Sequence, residues 1–191
     1  MENRTVRKNW KIAIYPGTFD PITNGHLDII RRGLKIFDRI VVAVADNRDK
    51  KTLFPLKERV EMVKVATAQW EEVEVLPFQS LLVEFARQIG SKIIIRGLRA
   101  VSDFEYELQM GYANKSLDRE IETIYLMPNL ENAFISSSTV RTILKYRGRV
   151  NHLVPVGIVP FLEKARKKME KFGANERDKT QQRNNYWEEL K

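Results

Sequence analysis

The chain has no cysteine among its 191 residues and only two histidines. Disulfides, thiol nucleophiles and thiolate-bound zinc are therefore excluded, as are metal cages built on several imidazoles. Glycine-rich phosphate loops are missing too. The nine glycines fall at positions 17, 25, 33, 90, 97, 111, 148, 157 and 173, and no two are two apart. Neither a dinucleotide fingerprint nor a P-loop can be read from that spacing. Long apolar runs are also absent. The longest purely aliphatic stretch, Ile40 to Ala45, is far short of the span a bilayer requires, about 20 residues. The first apolar run, Ile12 to Tyr15, is too short for the apolar core of a secretory signal, so a cytoplasmic protein with no membrane partner is expected.

Charge is unevenly spread. The formal net charge of +8 would on its own suggest a nucleic acid or an anionic surface as partner. Residues 1–11 carry four bases against one acid, and residues 160–191 carry nine against six, which leaves only +2 for residues 12–159. No basic stripe with interleaved aromatics runs through that central part. A non-enzymatic nucleic-acid binder is therefore the weaker reading, and anion chemistry in the body must come from individually placed side chains.

What is present is an alternation. Ile12 to Tyr15, Ile40 to Ala45, Val73 to Leu76, Ile93 to Ile95 and Thr123 to Met127 are short continuous apolar or β-branched runs, the pattern of strands buried on both faces. Between them, Leu27, Ile30, Leu34 and Phe37 share a helical face, as do Val60, Val63 and Thr67, and Leu82, Phe85, Ala86 and Ile89. The order predicts an α/β fold: a Rossmann-like, doubly wound, five-stranded parallel sheet with helices on both faces, binding ligands beyond the carboxyl ends of its strands. The length suits one domain, expected over residues 1–172. Pro160 to Phe172 reads as an amphipathic helix through Leu162, Ala165, Met169 and Phe172. Residues 173–191 form a polar extension that is either flexible or docked on a neighbour through Tyr186, Trp187 and Leu190.

The segments after the strands carry the chemistry. Strand one runs into Tyr15-Pro16-Gly17-Thr18-Phe19-Asp20-Pro21 and then Thr23-Asn24-Gly25-His26, directly before the first amphipathic helix. Pro16-Gly17 and Asp20-Pro21 are turn signals, and Gly25 permits close backbone approach. His26 opens a helix whose free N–H groups favour anions, so its ring can donate to a phosphoryl oxygen; the alternative is an ordinary first-turn residue. Arg96 and Arg99 follow the fourth strand, where guanidinium forks could grip phosphate or pair with Asp103, Glu105 or Glu107. Ser136, Ser137 and Ser138 precede the helical run Thr139 to Tyr146, where one serine caps and three could cradle phosphate. Lys50 and Lys51 sit in the polar loop after strand two.

These segments resemble a known family. Tyr15 to Pro21 with Thr23-Asn24-Gly25-His26, Ile95 to Glu107, and Phe134-Ile135-Ser136-Ser137-Ser138-Thr139-Val140-Arg141 are similar, in order, to the signatures of the HxGH nucleotidyltransferases. Thr23 stands where that superfamily often has a first histidine, a departure typical of the phosphopantetheine adenylyltransferase branch. The resemblance covers about residues 11–160. It implies transfer of the adenylyl group of ATP to 4'-phosphopantetheine with Mg2+, a homohexamer, and feedback inhibition by coenzyme A. It also implies His26, Lys50 and Arg99 as catalytic residues, and Thr18, Lys50, Leu82 and Arg96 around the phosphopantetheine. On the ATP side it implies Thr18, Phe19, His26, Gly97, Leu98, Arg99, Glu107 and the stretch Asn132, Ala133, Phe134, Ile135, Ser136, Ser137 and Ser138, with no protein ligand to a metal. Spacing alone reads Leu82 as core. The nearest competing activity is another nucleotidyltransferase of the same fold, acting on nicotinamide mononucleotide or a cytidylyl acceptor.

Overall fold

The five apolar runs form five strands, each starting within one residue of its expected position: β1 (Ile12–Gly17), β2 (Arg39–Ala45), β3 (Val73–Phe78), β4 (Ile93–Gly97) and β5 (Glu122–Leu126). The computed structural model describes residues 11–46, 51–99 and 101–169. The strands make one parallel sheet in the order β3-β2-β1-β4-β5. Successive strands leave β1 in one direction and then resume on its other side. The loops after β1 and β4 therefore diverge, and a crevice opens between them. At that seam β1 and β4 register through Ile14 opposite Ile94.

Side chains alternate across the sheet and fill a core on each face. Ala13, Tyr15, Val42 and Ile95 point to one face, where they meet Ile29 and Ile30 of α1 (Asn24–Gly33), Met62 and Val63 of α2 (Leu56–Thr67), and Val140 and Leu144 of α6 (Ser137–Lys145). Ile14, Val41, Ala43 and Ile94 point to the other face, against Val83, Phe85 and Ala86 of α3 (Leu82–Ile89). Ile14, Ile40, Ile94 and Ile95 have no exposed surface, and burial of each contributes about 1.5–3 kcal/mol. The sheet is thus doubly wound, as the alternation predicts.

Helix α4 (Val101–Leu117) has no apolar face to read: apolar residues surround it, and Phe104, Tyr106, Met110, Tyr112 and Leu117 are exposed. Its contact with β5 depends on Gly111, where a Cβ would meet the Tyr125 hydroxyl at 2.4 Å. After the short α5 (Leu130–Ala133) and α6, a 3-10 turn (Val156–Ile158) leads to α7, which runs over residues 159–169 and buries Leu162. The expected continuation to Phe172, the extension from residue 173 and the basic residues 1–10 lie outside the described residues. No helix among the described residues is long and apolar enough to cross a membrane.

Candidate active site

A cleft of about 460 Å³ occupies the switch point beyond β1 and β4. Of the residues singled out from the sequence, Thr18, Phe19, His26, Arg96, Gly97, Arg99, Glu107, Ile135, Ser136, Ser137 and Ser138 line it. Leu82 borders an adjoining cleft of about 240 Å³ that shares Thr18, Arg96 and Glu107 with the first. It is half-buried, not the fully buried core residue that its spacing suggests. Leu98, Asn132, Ala133 and Phe134 do not line the main cleft; the Leu98 N–H donates to the Leu126 carbonyl at 2.9 Å, and Phe134 is 64% exposed. Lys50 lies outside the described residues, while Lys51 and Thr52 reach the cleft wall.

His26 is fixed from below. Thr23 is the N-cap of α1: its Oγ1 accepts from the His26 N–H at 3.4 Å, and the Thr23 N–H donates to Nδ1 of the imidazole at 3.0 Å. This is a reciprocal capping box with histidine in the place usually held by Glu or Gln. Because Nδ1 accepts a backbone proton, a neutral ring carries its own proton on Nε2. Burial, then the positive charges of Arg99 and Arg96, push the His26 pKa down to about 3, so the ring is a neutral N–H donor at physiological pH. Phe19 packs edge-on against it with centroids 5.1 Å apart, and Tyr15 does the same to Phe19 at 5.5 Å. Phe19 is buried with φ of 48°, a left-handed conformation that costs a non-glycine residue about 1–3 kcal/mol. The neighbouring turns must hold it there.

The opposite wall is cationic, and each cation has an acid. Arg96 gives Nε and Nη2 to the two carboxylate oxygens of Glu107, both at 2.6 Å, and Nη1 to the Pro16 carbonyl at 2.8 Å. Arg99 places Nε and Nη2 on Asp103 at 3.2 and 3.1 Å, and Nη1 on the Ile135 carbonyl at 3.4 Å. The ion-pair alternative is thus realised for both arginines. It does not use up their donors: a guanidinium has five N–H groups, and three nitrogens of each are engaged once. Burial and the nearby Glu107 carboxylate outweigh Arg96 and Arg99 at the Tyr15 hydroxyl and hold its pKa above the usual range.

Ser136 caps α6 by accepting from the Thr139 N–H at 3.0 Å, and its hydroxyl also meets that of Ser138 at 2.8 Å. Ser137 donates to the Pro21 carbonyl at 2.8 Å, which ties α6 to the turn after β1. Capping is therefore one function of the triplet, and the N-terminus of α6 faces the same cleft as His26. Gly25 makes this possible: a Cβ there would lie 3.2 Å from the carbonyls of both Asn132 and Ile135. A buried carboxylate holds the approach from behind. Burial raises the Asp28 pKa, but the Asn129 N–H at 2.6 Å and the Arg31 and Arg32 forks outweigh it and leave it below the usual range.

Two cleft residues take roles that the sequence does not signal. Asp20 reads as a turn residue, yet it is buried and accepts the N–H groups of Leu53 and Phe54 at 2.8 and 2.9 Å. Arg141 reaches the Asp20 carbonyl at 2.7 Å from α6 and lines the cleft. Their partners are 33, 34 and 121 positions away, so only the folded chain pairs them.

Among the described residues no three His, Asp or Glu side chains cluster as a cation site. The carboxylates facing the cleft are committed, Asp20 to backbone N–H groups and Glu107 to Arg96. This donor set does not make a cage for a divalent cation.

Comparison with known proteins shows the family. Residues 14–143 match the cytidylyltransferase-like family. A phosphopantetheine adenylyltransferase of Nautilia profundicola is 73% identical over 147 residues, which is 77% of this chain and 96% of that protein. Proteins of the same name from Campylobacter hominis and Wolinella succinogenes are 61% identical over 151 residues and 58% over 156. Those alignments cover 79% and 82% of this chain, and 95% and 97% of the relatives. With identity this high across nearly the full length of the relatives, the chain belongs to the cytidylyltransferase-like family and, within it, to the phosphopantetheine adenylyltransferases.

Proposed function

We propose that the chain transfers the adenylyl group of ATP to 4'-phosphopantetheine, giving dephospho-coenzyme A and pyrophosphate, by direct in-line attack. An oxygen of the acceptor phosphate forms the new bond to the α-phosphorus of ATP. The bond from that phosphorus to the bridging oxygen breaks, and pyrophosphate leaves. The observation that carries this reading is a histidine whose Nδ1 accepts the Thr23 N–H and whose Nε2 is thereby left to donate, in the switch-point cleft opposite two arginines and beside a helix N-terminus. A phosphate monoester has its second pKa at about 6, so the nucleophile arrives as an anion and no general base is required. The task is to align two anions and stabilise charge on the α-phosphoryl group.

In this reading His26 donates from Nε2 to the α-phosphoryl oxygens and keeps its proton throughout. Arg99 and Lys50 neutralise phosphate charge, and Lys51, on the cleft wall, is placed to assist. Thr18 and Arg96 orient the acceptor phosphate, with Leu82 along the adjoining cleft for the pantetheine arm. Ser136 to Ser138 and the N-terminus of α6 receive the ATP phosphates. Phe19, Gly97, Leu98, Glu107 and residues 132–135 stand on the nucleotide side. Magnesium enters on the nucleotide phosphates, since Asp20 and Glu107, the carboxylates that face the cleft among the described residues, are committed elsewhere.

A homohexamer fits the unpartnered surface of α4, where five large apolar side chains are between 41% and 69% exposed. Coenzyme A, which shares the acceptor's pantetheine arm, would inhibit by occupying the adjoining cleft. The chemistry belongs in the cytoplasm, where ATP is available. The decisive measurement is pyrophosphate release with ATP, magnesium and 4'-phosphopantetheine, run beside nicotinamide mononucleotide as acceptor and CTP as donor. Release restricted to the first combination is expected. Release only with CTP or the mononucleotide, or none from folded protein, would overturn the reading.

A further inference from the structure

One buried charge does not enter the mechanism above. Arg59 of α2 is 1% exposed and heads the largest fully buried side chains of the molecule. Its guanidinium gives Nη1 to the carbonyls of Thr18 and Ala45 at 2.6 and 2.8 Å, and Nε to the carbonyl of Phe54 at 3.1 Å. Nη2 lies 3.8 Å from the Asp46 carboxylate. The three carbonyls come from three separate segments: the turn after β1, the end of β2, and the entry to α2. Each of these segments leads to a residue or loop at the cleft. A buried charge of this kind adds little net stability compared with a well-packed apolar side chain, so stability alone is a weak account of it.

The position of the Thr18 bond is the informative part. Thr18 directly precedes Phe19, the residue held at φ 48°, and Asp20 directly follows it. Arg59 thus pins the backbone on one side of the strained residue. Asp20 is pinned on the other side, through Leu53 and Phe54. Phe54 joins the two anchors, because its N–H goes to Asp20 and its carbonyl to Arg59. The ring of Phe19, held in this way, is what packs edge-on against His26.

We infer that Arg59 is a positioning residue for the adenylyl transfer: by clamping the Thr18 carbonyl it keeps Phe19 in its left-handed conformation and so fixes His26 and Thr18 against the reacting phosphates. It touches no substrate. Lysine cannot replace it fully, since an ammonium lacks the planar fork that serves three carbonyls from a fixed plane. The inference rests on the proposed reaction for its kinetic consequence, but not for its structural one.

The test uses the full chain with Arg59→Lys and Arg59→Met. The chain has only His26 and His152, so ring nitrogen-15 and proton signals of the imidazoles can be assigned with a His152→Gln control. In folded Arg59→Lys, the His26 ring signals are expected to shift and broaden as Phe19 ceases to pack edge-on against the imidazole, while those of His152 stay in place. Turnover should fall about 10- to 10²-fold, the scale of a reacting group displaced by a fraction of an ångström. Equilibrium affinity for a non-hydrolysable ATP analogue should fall by a clearly smaller factor than turnover, since the Ser136 cap and the N-terminus of α6 remain while only the turn at Phe19 shifts. Arg59→Met should show the same pattern more strongly, and if it fails to fold the lysine variant still decides. Unchanged His26 signals in a folded variant would overturn the inference. So would a loss of turnover that only follows the folded fraction, with nucleotide affinity falling in parallel. If wild-type protein transfers no adenylyl group, the proposed function falls, while the ring signals still report on the clamp.

Discussion

The two walls of the cleft reach rigidity by different physics. The wall built from β1 and α1 holds one neutral donor, His26, by a capping box three residues long and by aromatic packing. The wall built from β4 and α4 holds two permanent cations, Arg96 and Arg99, each oriented by a carboxylate of α4. The first wall has little charge to screen and few ways to move. The second supplies the field, and its geometry is only as good as its ion pairs. A reaction between two phosphates needs both: cations to bring anions together, and one donor placed where charge develops.

The largest effect should come from the neutral wall. His26→Ala is expected to lower turnover by about 10²- to 10³-fold, the scale of one lost preorganised donor, with KM for both substrates little changed and the fold intact by circular dichroism. Near wild-type turnover in that variant would remove His26 from the chemistry. Glu107→Gln should act differently, on binding. The amide keeps one acceptor for Arg96 but loses the charge, and a charge-assisted hydrogen bond contributes about 1.5–3 kcal/mol. KM for the phosphates should therefore rise about 10- to 10²-fold, with a smaller change in turnover. If turnover collapses while KM holds, the walls do not divide the work in this way.

The same contrast explains what the sequence disclosed. Strand boundaries were legible because strands buried on both faces read as continuous β-branched runs, and His26 stood out because its supports lie within a few residues of it. The pairing of Arg96 with Glu107 spans 11 positions and could be raised only as one option among three acids. The network of Asp20, Arg59 and Arg141 was not legible at all. A buried arginine on α2 looks like surface charge until the fold brings three carbonyls to it. Helix α4 gave no periodicity because its apolar residues encircle it, which is the pattern of a helix meant for more than one neighbour. Leu82 escaped a spacing argument for the opposite reason: half-buried at the head of α3, it packs with the core and lines a cleft at once.

A smaller effect separates the two things Thr23 does. Its hydroxyl caps α1 and also lies 2.9 Å from Nδ1 of His26, while its backbone N–H donates to that same nitrogen and sets the ring tautomer. Thr23→Val keeps the N–H and the shape but removes the cap and the hydroxyl's contact with Nδ1, leaving the backbone N–H alone to hold the ring. Loss of an N-cap costs about 1 kcal/mol, so the urea midpoint should drop accordingly, while turnover falls less than about tenfold. Thr23→Ser should restore the stability. A turnover loss in Thr23→Val as large as that in His26→Ala would mean that the hydroxyl, not the backbone, governs the ring.

The last effect concerns pH and leaves turnover at neutral pH untouched; it tests whether the first wall is neutral at all. The His26 pKa is depressed to about 3 in the folded chain, against an ordinary value of 6.5 once unfolded. Between those values the unfolded state binds a proton that the folded state refuses, so folding stability rises with pH across that window and is lost as pH falls through it. Above about pH 7 both states carry a neutral ring and the contribution is flat. His26→Gln removes this term. The difference in unfolding free energy between wild type and His26→Gln, measured in urea at pH 7.5 and again at pH 4.5, should therefore shift against the wild type at the lower pH and stay constant from pH 7.5 to 9. A shift in the opposite direction would mean that the ring is charged in the folded cleft. In that case both walls would be cationic, and the division of labour between a neutral donor and paired charges would not hold.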